Sequence, residues 1–151
     1  MIKTKYLFLY LIISTLISCI SKDNKKINKV DSERLVTVSL NYILKNKKLA
    51  KEFYDEPIQI IKSNKLPINS IIVVNDKVCV LLPENTNINK ILKTMDLFKP
   101  KPIVEITGFR FEGNLIKLDL IFRTIGRSFK LGVNAQENTN YQVINLIDSD
   151  I

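Results

Sequence analysis

Glu105, Glu112 and Asp119, on what reads as a pair of neighbouring strands, are the side chains best spaced for acid–base chemistry. Hydrolysis of a glycosidic bond needs two such carboxyls, one protonated to donate to the leaving oxygen and one ionised to attack or to activate water. A simpler account also exists. In the register that a Gly113-Asn114 turn would set, Arg110 lies diagonal to Asp119 and Lys117 diagonal to Glu112, so surface ion pairs account for both acids. Ser128 and Lys130 alternate along the next strand and share a face, which makes a Ser–Lys dyad geometrically allowed. Other chemistry is scarce. The chain has no His, which removes Ser-His-Asp and Cys-His nucleophilic machinery and the usual zinc sites. Two cysteines are too few for a thiolate zinc cluster, and the four glycines are too scattered to cradle a phosphate. No catalytic residue, metal ligand or cofactor is assigned from these patterns, and the expectation is a non-enzymatic domain.

The cysteines carry different information. Cys79 sits in Lys77-Val78-Cys79-Val80-Leu81-Leu82, apolar on both faces, and reads as a small buried hydrophobe. Cys19 sits where a greasy run ends. Lys3 and Lys5 precede Leu7–Leu16, about half the length a transmembrane helix requires, and a lysine-rich polar stretch follows at once. A basic start, a short apolar run and a small-residue cut site describe a secretory signal peptide. Leu16-Ile17-Ser18-Cys19 resembles the lipobox of bacterial lipoproteins: a branched aliphatic, a tolerant position, a small residue, then Cys. The resemblance implies a diacylglyceryl group on the Cys19 thiol and cleavage between Ser18 and Cys19. Two or more acyl chains anchor a protein stably, at about 0.8 kcal/mol per buried methylene. The expected organisation is therefore a signal peptide at 1–18, a lipidated flexible tether at 19–30 and one domain at 31–151.

The formal charge of +8 needs dividing before it suggests nucleic acid. Lys3 and Lys5 leave with the signal peptide, and Lys22, Lys25, Lys26 and Lys29 lie in the tether with Asp23. From Asp31 onward 17 cations face 14 acids, interspersed rather than clustered. Tether lysines beside anionic headgroups have an ordinary electrostatic explanation, so nucleic acid is not expected as a partner. The expected location is the extracytoplasmic face of a cell membrane. Ile20, rather than Asp, after the lipidated Cys favours the outer membrane where the host has one.

The elements that would position all this are local and legible. Asp31 or Ser32 caps a helix over 32–54, with Glu33 in its first turn, Leu35, Val38, Tyr42, Leu49 and Phe53 on one side, and a kink near Asn46. A short strand at 58–61, a loop at 62–69 and a hairpin of 70–74 with 77–82 across Asn75-Asp76 follow. Asn85 or Thr86 caps a second helix whose Ile88, Ile91, Leu92, Met95 and Phe98 form one stripe, stopped by Lys99-Pro100-Lys101-Pro102. Strands at 103–112, 115–123, 127–133 and 141–147 then form a curved antiparallel meander. A bulge at Gly108 corrects the slip between the Val104/Ile106 and Phe109/Phe111 alternations.

The expectation is an α+β fold with both helices on one face of the sheet. This order is similar, at the level of topology, to the nuclear transport factor 2-like and cystatin-like families. It points to a lipid-anchored binding or interaction domain at the cell envelope, of which an immunity or inhibitor protein is one form, with an envelope protein as partner. The alternatives are a structural subunit of an envelope complex, with Ile103, Ile106, Ile121 and Ile125 as an exposed patch, or a carboxylate-based hydrolase.

Overall fold

A six-stranded mixed sheet carries the domain, and its strands arise in two ways. The computed structural model describes residues 31–47, 49, 55–64, 66–67, 69–96, 98–136 and 140–151. The fold is α+β. Its elements are α1 (Ser32–Asn46), β1 (Gln59–Ile61), β2 (Val73–Val74), β3 (Lys77–Val78), β4 (Val80–Leu82), α2 (Ile88–Thr94), β5 (Ile103–Glu112), β6 (Leu115–Phe122), β7 (Arg127–Ala135) and β8 (Tyr141–Asp150). The main sheet has the order β4-β1-β5-β6-β7-β8, and β2-β3 is a separate ribbon.

The expected meander forms β5 to β8, every pairing antiparallel. Its register follows from the two-residue Gly113-Asn114 turn, which places Phe111 opposite Ile116 and Phe109 opposite Leu118. The register slips between Ile106 and Gly108, where the bulge was expected. A Cβ on Gly108 would lie 2.5 Å from the Asp119 carboxylate, so the strands approach closely there because residue 108 has no side chain. A second slip, between Gly132 and Val133 against β8, adds to the curvature.

The inner face buries Ile116, Leu118, Leu120 and Phe122 from β6 and Phe129, Leu131 and Val133 from β7. The rings of Phe122 and Phe129 meet edge-to-face at 4.9 Å, an arrangement worth about 1 kcal/mol beyond burial. α1 packs on this face against β8 and β2. Asp31 caps it, accepting from the Arg34 N–H at 3.0 Å, and its own N–H donates to the Tyr141 hydroxyl at 2.9 Å. The buried face of α1 is Leu35, Val36, Ser39, Leu40, Ile43 and Leu44. This is rotated from the expected stripe, since Val38 and Tyr42 are only half-buried. The face tolerates Ser39, whose hydroxyl has no partner among the described residues. α1 ends at Asn46 rather than 54. Lys47 closes it through its N–H to the Ile43 carbonyl, and Phe53 lies outside the described residues.

Three further expectations are corrected. The 70–82 hairpin is short. Asn75 and Asp76 both take positive φ (48° and 60°), as a two-residue turn of this hand requires, and only Val73–Val78 and Val74–Lys77 pair. At Cys79, whose N–H bonds the Ile72 carbonyl at 2.8 Å, the chain leaves the ribbon, and β4 joins the main sheet parallel to β1. β1 in turn lies parallel to β5. α2 is capped by Asn87, not Asn85 or Thr86, with Lys90 N–H donating to its side chain at 3.0 Å. Nor does α2 share the core with α1: it buries no residue, and Phe98 beyond it is 94% exposed. α2 ends at Thr94, so Met95 and Phe98 of the expected stripe lie beyond it.

Asn41, from the middle of α1, holds that ribbon in place. Its amide donates to the Thr37 carbonyl at 2.9 Å and to the Val73 carbonyl at 3.3 Å. Its oxygen accepts from the Asn75 N–H at 3.1 Å.

Candidate functional site

The face of the sheet opposite α1 carries the three acids, because strand alternation sends their neighbours Val104, Ile106, Phe111 and Leu118 inward. Each acid is taken by a cation one diagonal away. Asp119 accepts from Arg110 at 3.0 Å and Glu112 from Lys117 at 2.7 Å. Glu105 accepts from Arg123 Nε at 2.6 Å and also meets its Nη2. The first two pairs are those the register implied. The third lies beyond the bulge at Gly108, where the register no longer follows from the Gly113-Asn114 turn alone: Val104 opposite Phe122 leaves Glu105 diagonal to Arg123.

The spacing limits cooperation between the acids. Glu105 and Glu112 lie seven positions apart on one strand, about 23 Å, so they cannot act on one bond. Glu105 and Asp119 are closer, with Ile121 opposite Glu105, but each carboxylate is already engaged by an arginine. Their exposed guanidinium and ammonium partners make these pairs worth about 0.2–1 kcal/mol each. Their clearest effect is to hold β5 and β6 in register.

Ser128 and Lys130 do share a face on β7, opposite Ile121 and Asp119 respectively. Among the described residues no hydrogen bond joins the Ser128 hydroxyl to Lys130. Cys79 is buried at 8% exposure, and desolvation raises its thiol from 9.0 to about 11. At neutral pH it is protonated and a poor nucleophile. Ser18 and Cys19 lie outside the described residues, and no group of three or more metal-ligating side chains occurs among those described.

Two clefts flank the charged face. One, about 490 Å³, opens where β1 ends, with Ser63 and Asn64 on one wall and Thr107, Gly108, Arg110 and Asp119 on the other. A second, about 650 Å³, lies between the start of α2 and Arg123, Gly126 and Ile151. Apolar exposure sits elsewhere than expected. Ile103 and Ile106 are buried and Ile121 is half-buried, so of the four residues anticipated as an outer patch Ile125 alone is exposed, at 38%. Other exposed apolar side chains are Ile71, Val73, Val78 and Val80, along the β2–β3 ribbon and the residues flanking it, Ile144 and Ile147 on β8, and Phe98, Phe111 and Ile151.

A charge cluster that the sequence reading did not single out pins α1 to the sheet. Asp148, 13% exposed, accepts from Arg127 through Nε at 3.1 Å and through Nη2, and faces Lys47 at 3.3 Å. The Arg127 guanidinium also lies 5.3 Å from the Phe129 ring centre. The signal available was the alternation Arg127-Phe129-Leu131, which places Arg127 on the core side. No protein-family model matches the chain, and neither does any curated protein or solved structure.

Proposed function

We propose that this protein is a bacterial lipoprotein, anchored through lipid on Cys19, whose domain is a non-enzymatic binding module at the cell envelope. The observation that carries the anchor is Leu16-Ile17-Ser18-Cys19 at the end of a short apolar run with a basic start and a lysine-rich sequel. Only a cysteine supplies a thiolate for the thioether, and Ser18 leaves the scissile bond accessible. Ile20 at the following position favours the outer membrane in a host that has one.

Binding rather than catalysis is supported by three features of the domain. The three acids Glu105, Glu112 and Asp119 are engaged by cations, its described thiol is buried, and Ile71, Val73, Val78 and Val80, in and beside the β2–β3 ribbon, are uncovered. An envelope protein is the expected partner, and neutralising a toxin or a wall hydrolase is one form this takes.

The test is labelling of the full chain with a palmitate analogue in a bacterial host, beside Cys19→Ala, followed by crosslinked capture from envelopes. Label and membrane association that both vanish in Cys19→Ala, with a specific partner lost alongside them, are the expected result. Label retained in Cys19→Ala, or none in the wild type, rules out the anchor.

A further inference from the structure

We infer that the free edge of β5 beyond β1 is a binding site for an extended peptide segment, which would add to the sheet as a strand with an acidic side chain beside Arg110. This rests on the reading of the domain as a binding module and does not depend on the lipid anchor.

β5 is ten residues long, but only Ile103, Val104 and Glu105 pair with β1. Past that point the chain leaves β1 through Lys62, and the 490 Å³ cleft occupies the place where a longer β1 would lie. The ladder geometry shows what faces it. Glu112 and Leu115 close a two-residue turn and form a hydrogen-bonded pair, so bonding to β6 alternates back along β5 through Arg110 and Gly108. The N–H and C=O groups of Phe109 and Phe111 therefore point away from β6. Among the described residues no strand pairs with β5 on that side past Glu105, and no turn or loop backbone group bonds them. A ladder edge of this kind is a template for another strand.

The side chains define what that strand should carry. A period of two sends its residues alternately to the two faces of the sheet. On the core side they meet Phe109 and Phe111, whose ring centres are 6.1 Å apart, with Phe111 half exposed. On the other side they meet Arg110, 63% exposed, with the Thr107 hydroxyl and the Ser63–Asn64 wall nearby. Asp119 uses one edge of the Arg110 guanidinium through Nη2, and five N–H donors leave capacity for a second carboxylate. Alternating aliphatic and acidic residues over about five positions, roughly 17 Å, would satisfy both sides.

The experiment uses the full chain in detergent micelles, labelled with ¹⁵N. The probes are capped valine–X–valine–X–valine peptides with glutamate, serine or lysine at X, together with the glutamate peptide N-methylated at alternate backbone nitrogens. The expected result is saturable shifts of the Phe109 and Phe111 amides, strongest for the glutamate peptide. N-methylation should weaken binding by at least about tenfold through lost ladder bonds. Arg110→Glu should weaken the glutamate peptide by about fivefold and favour the lysine peptide. No saturable binding by any probe, shifts centred away from β5, or indifference to N-methylation would overturn the proposal. Equal weakening of all three peptides by Arg110→Glu would overturn the acidic preference. A protein that is lipidated but fails these peptide tests retains the anchor reading. One that binds peptide but is not lipidated loses the anchor alone.

Discussion

Asp148 gives the sharpest test of what holds α1 to the sheet. Replacing it with Ala removes the carboxylate that meets both Arg127, from β7, and Lys47, just past α1. Exposed ion pairs contribute about 0.2–1 kcal/mol, whereas breaking a fully buried pair costs about 3–5 kcal/mol because a charge is left without a partner. The exposures here lie between these limits, at 13% for Asp148, 30% for Arg127 and 28% for Lys47. The Arg127 guanidinium stays over Phe129 after the substitution and is only partly able to recover water. A loss of about 2 kcal/mol is therefore expected, a sizeable share of the roughly 5–15 kcal/mol that stabilises a domain. Urea unfolding of wild type, Asp148→Ala, Arg127→Met and the double variant measures it. The midpoint should fall with an unchanged slope, and the cycle should return a coupling of about 1–2 kcal/mol. A coupling below about 0.5 kcal/mol would show that the cluster is incidental to the docking of α1, and the reasoning from exposure would be wrong.

Two other outcomes follow from single buried groups. Cys79 is protonated in both folded and unfolded chains below pH 9. Between its ordinary value of 9.0 and its raised value of about 11, only the unfolded chain ionises. Stability should thus be full below pH 9 and fall on going to pH 11, by up to about 1.4 kcal/mol per pH unit from this group. Tyr141, raised chiefly by desolvation, acts in the same direction above pH 10. The difference between wild type and Cys79→Ala is therefore the quantity to read, and parallel pH profiles for the two would contradict the assignment. Ser39→Ala should raise stability by about 1 kcal/mol in urea unfolding, since it removes a fully buried hydroxyl without a partner among the described residues. A destabilised Ser39→Ala would mean that the hydroxyl has a bonding role.

Residues 103–147 were readable because their information is local. The two-residue Gly113-Asn114 turn sets the β5–β6 register, period-two alternation assigns the faces, and Gly108 supplies a bulge where the alternation breaks. The Arg110–Asp119 and Lys117–Glu112 pairs came with that register. Cys79 could be placed inside because it is a small hydrophobe in a run apolar on both faces, although its neighbours Val78 and Val80 prove to be exposed.

The pairing of β1 with β4 and β5 had no such signal. Three-residue strands leave no usable periodicity, and parallel pairing joins segments far apart in sequence, so it is specified only when the sheet assembles. The same limit hid the environment of α2, whose apolar stripe satisfies a helix period but cannot say which surface covers it. It also hid the Asp148 cluster, where three charges from α1's end, β7 and β8 meet. The sequence by itself determined the antiparallel order of β5 to β8, the β5–β6 register and the residue types available for chemistry, because those depend on neighbours and short turns; β7 and β8 run on to Ala135 and Asp150, past the expected 133 and 147. Only the tertiary structure decided that β1 ends before β5 does, so that among the described residues no strand pairs with β5 beside the cleft at Arg110, because that arrangement depends on where separate segments of chain come to rest.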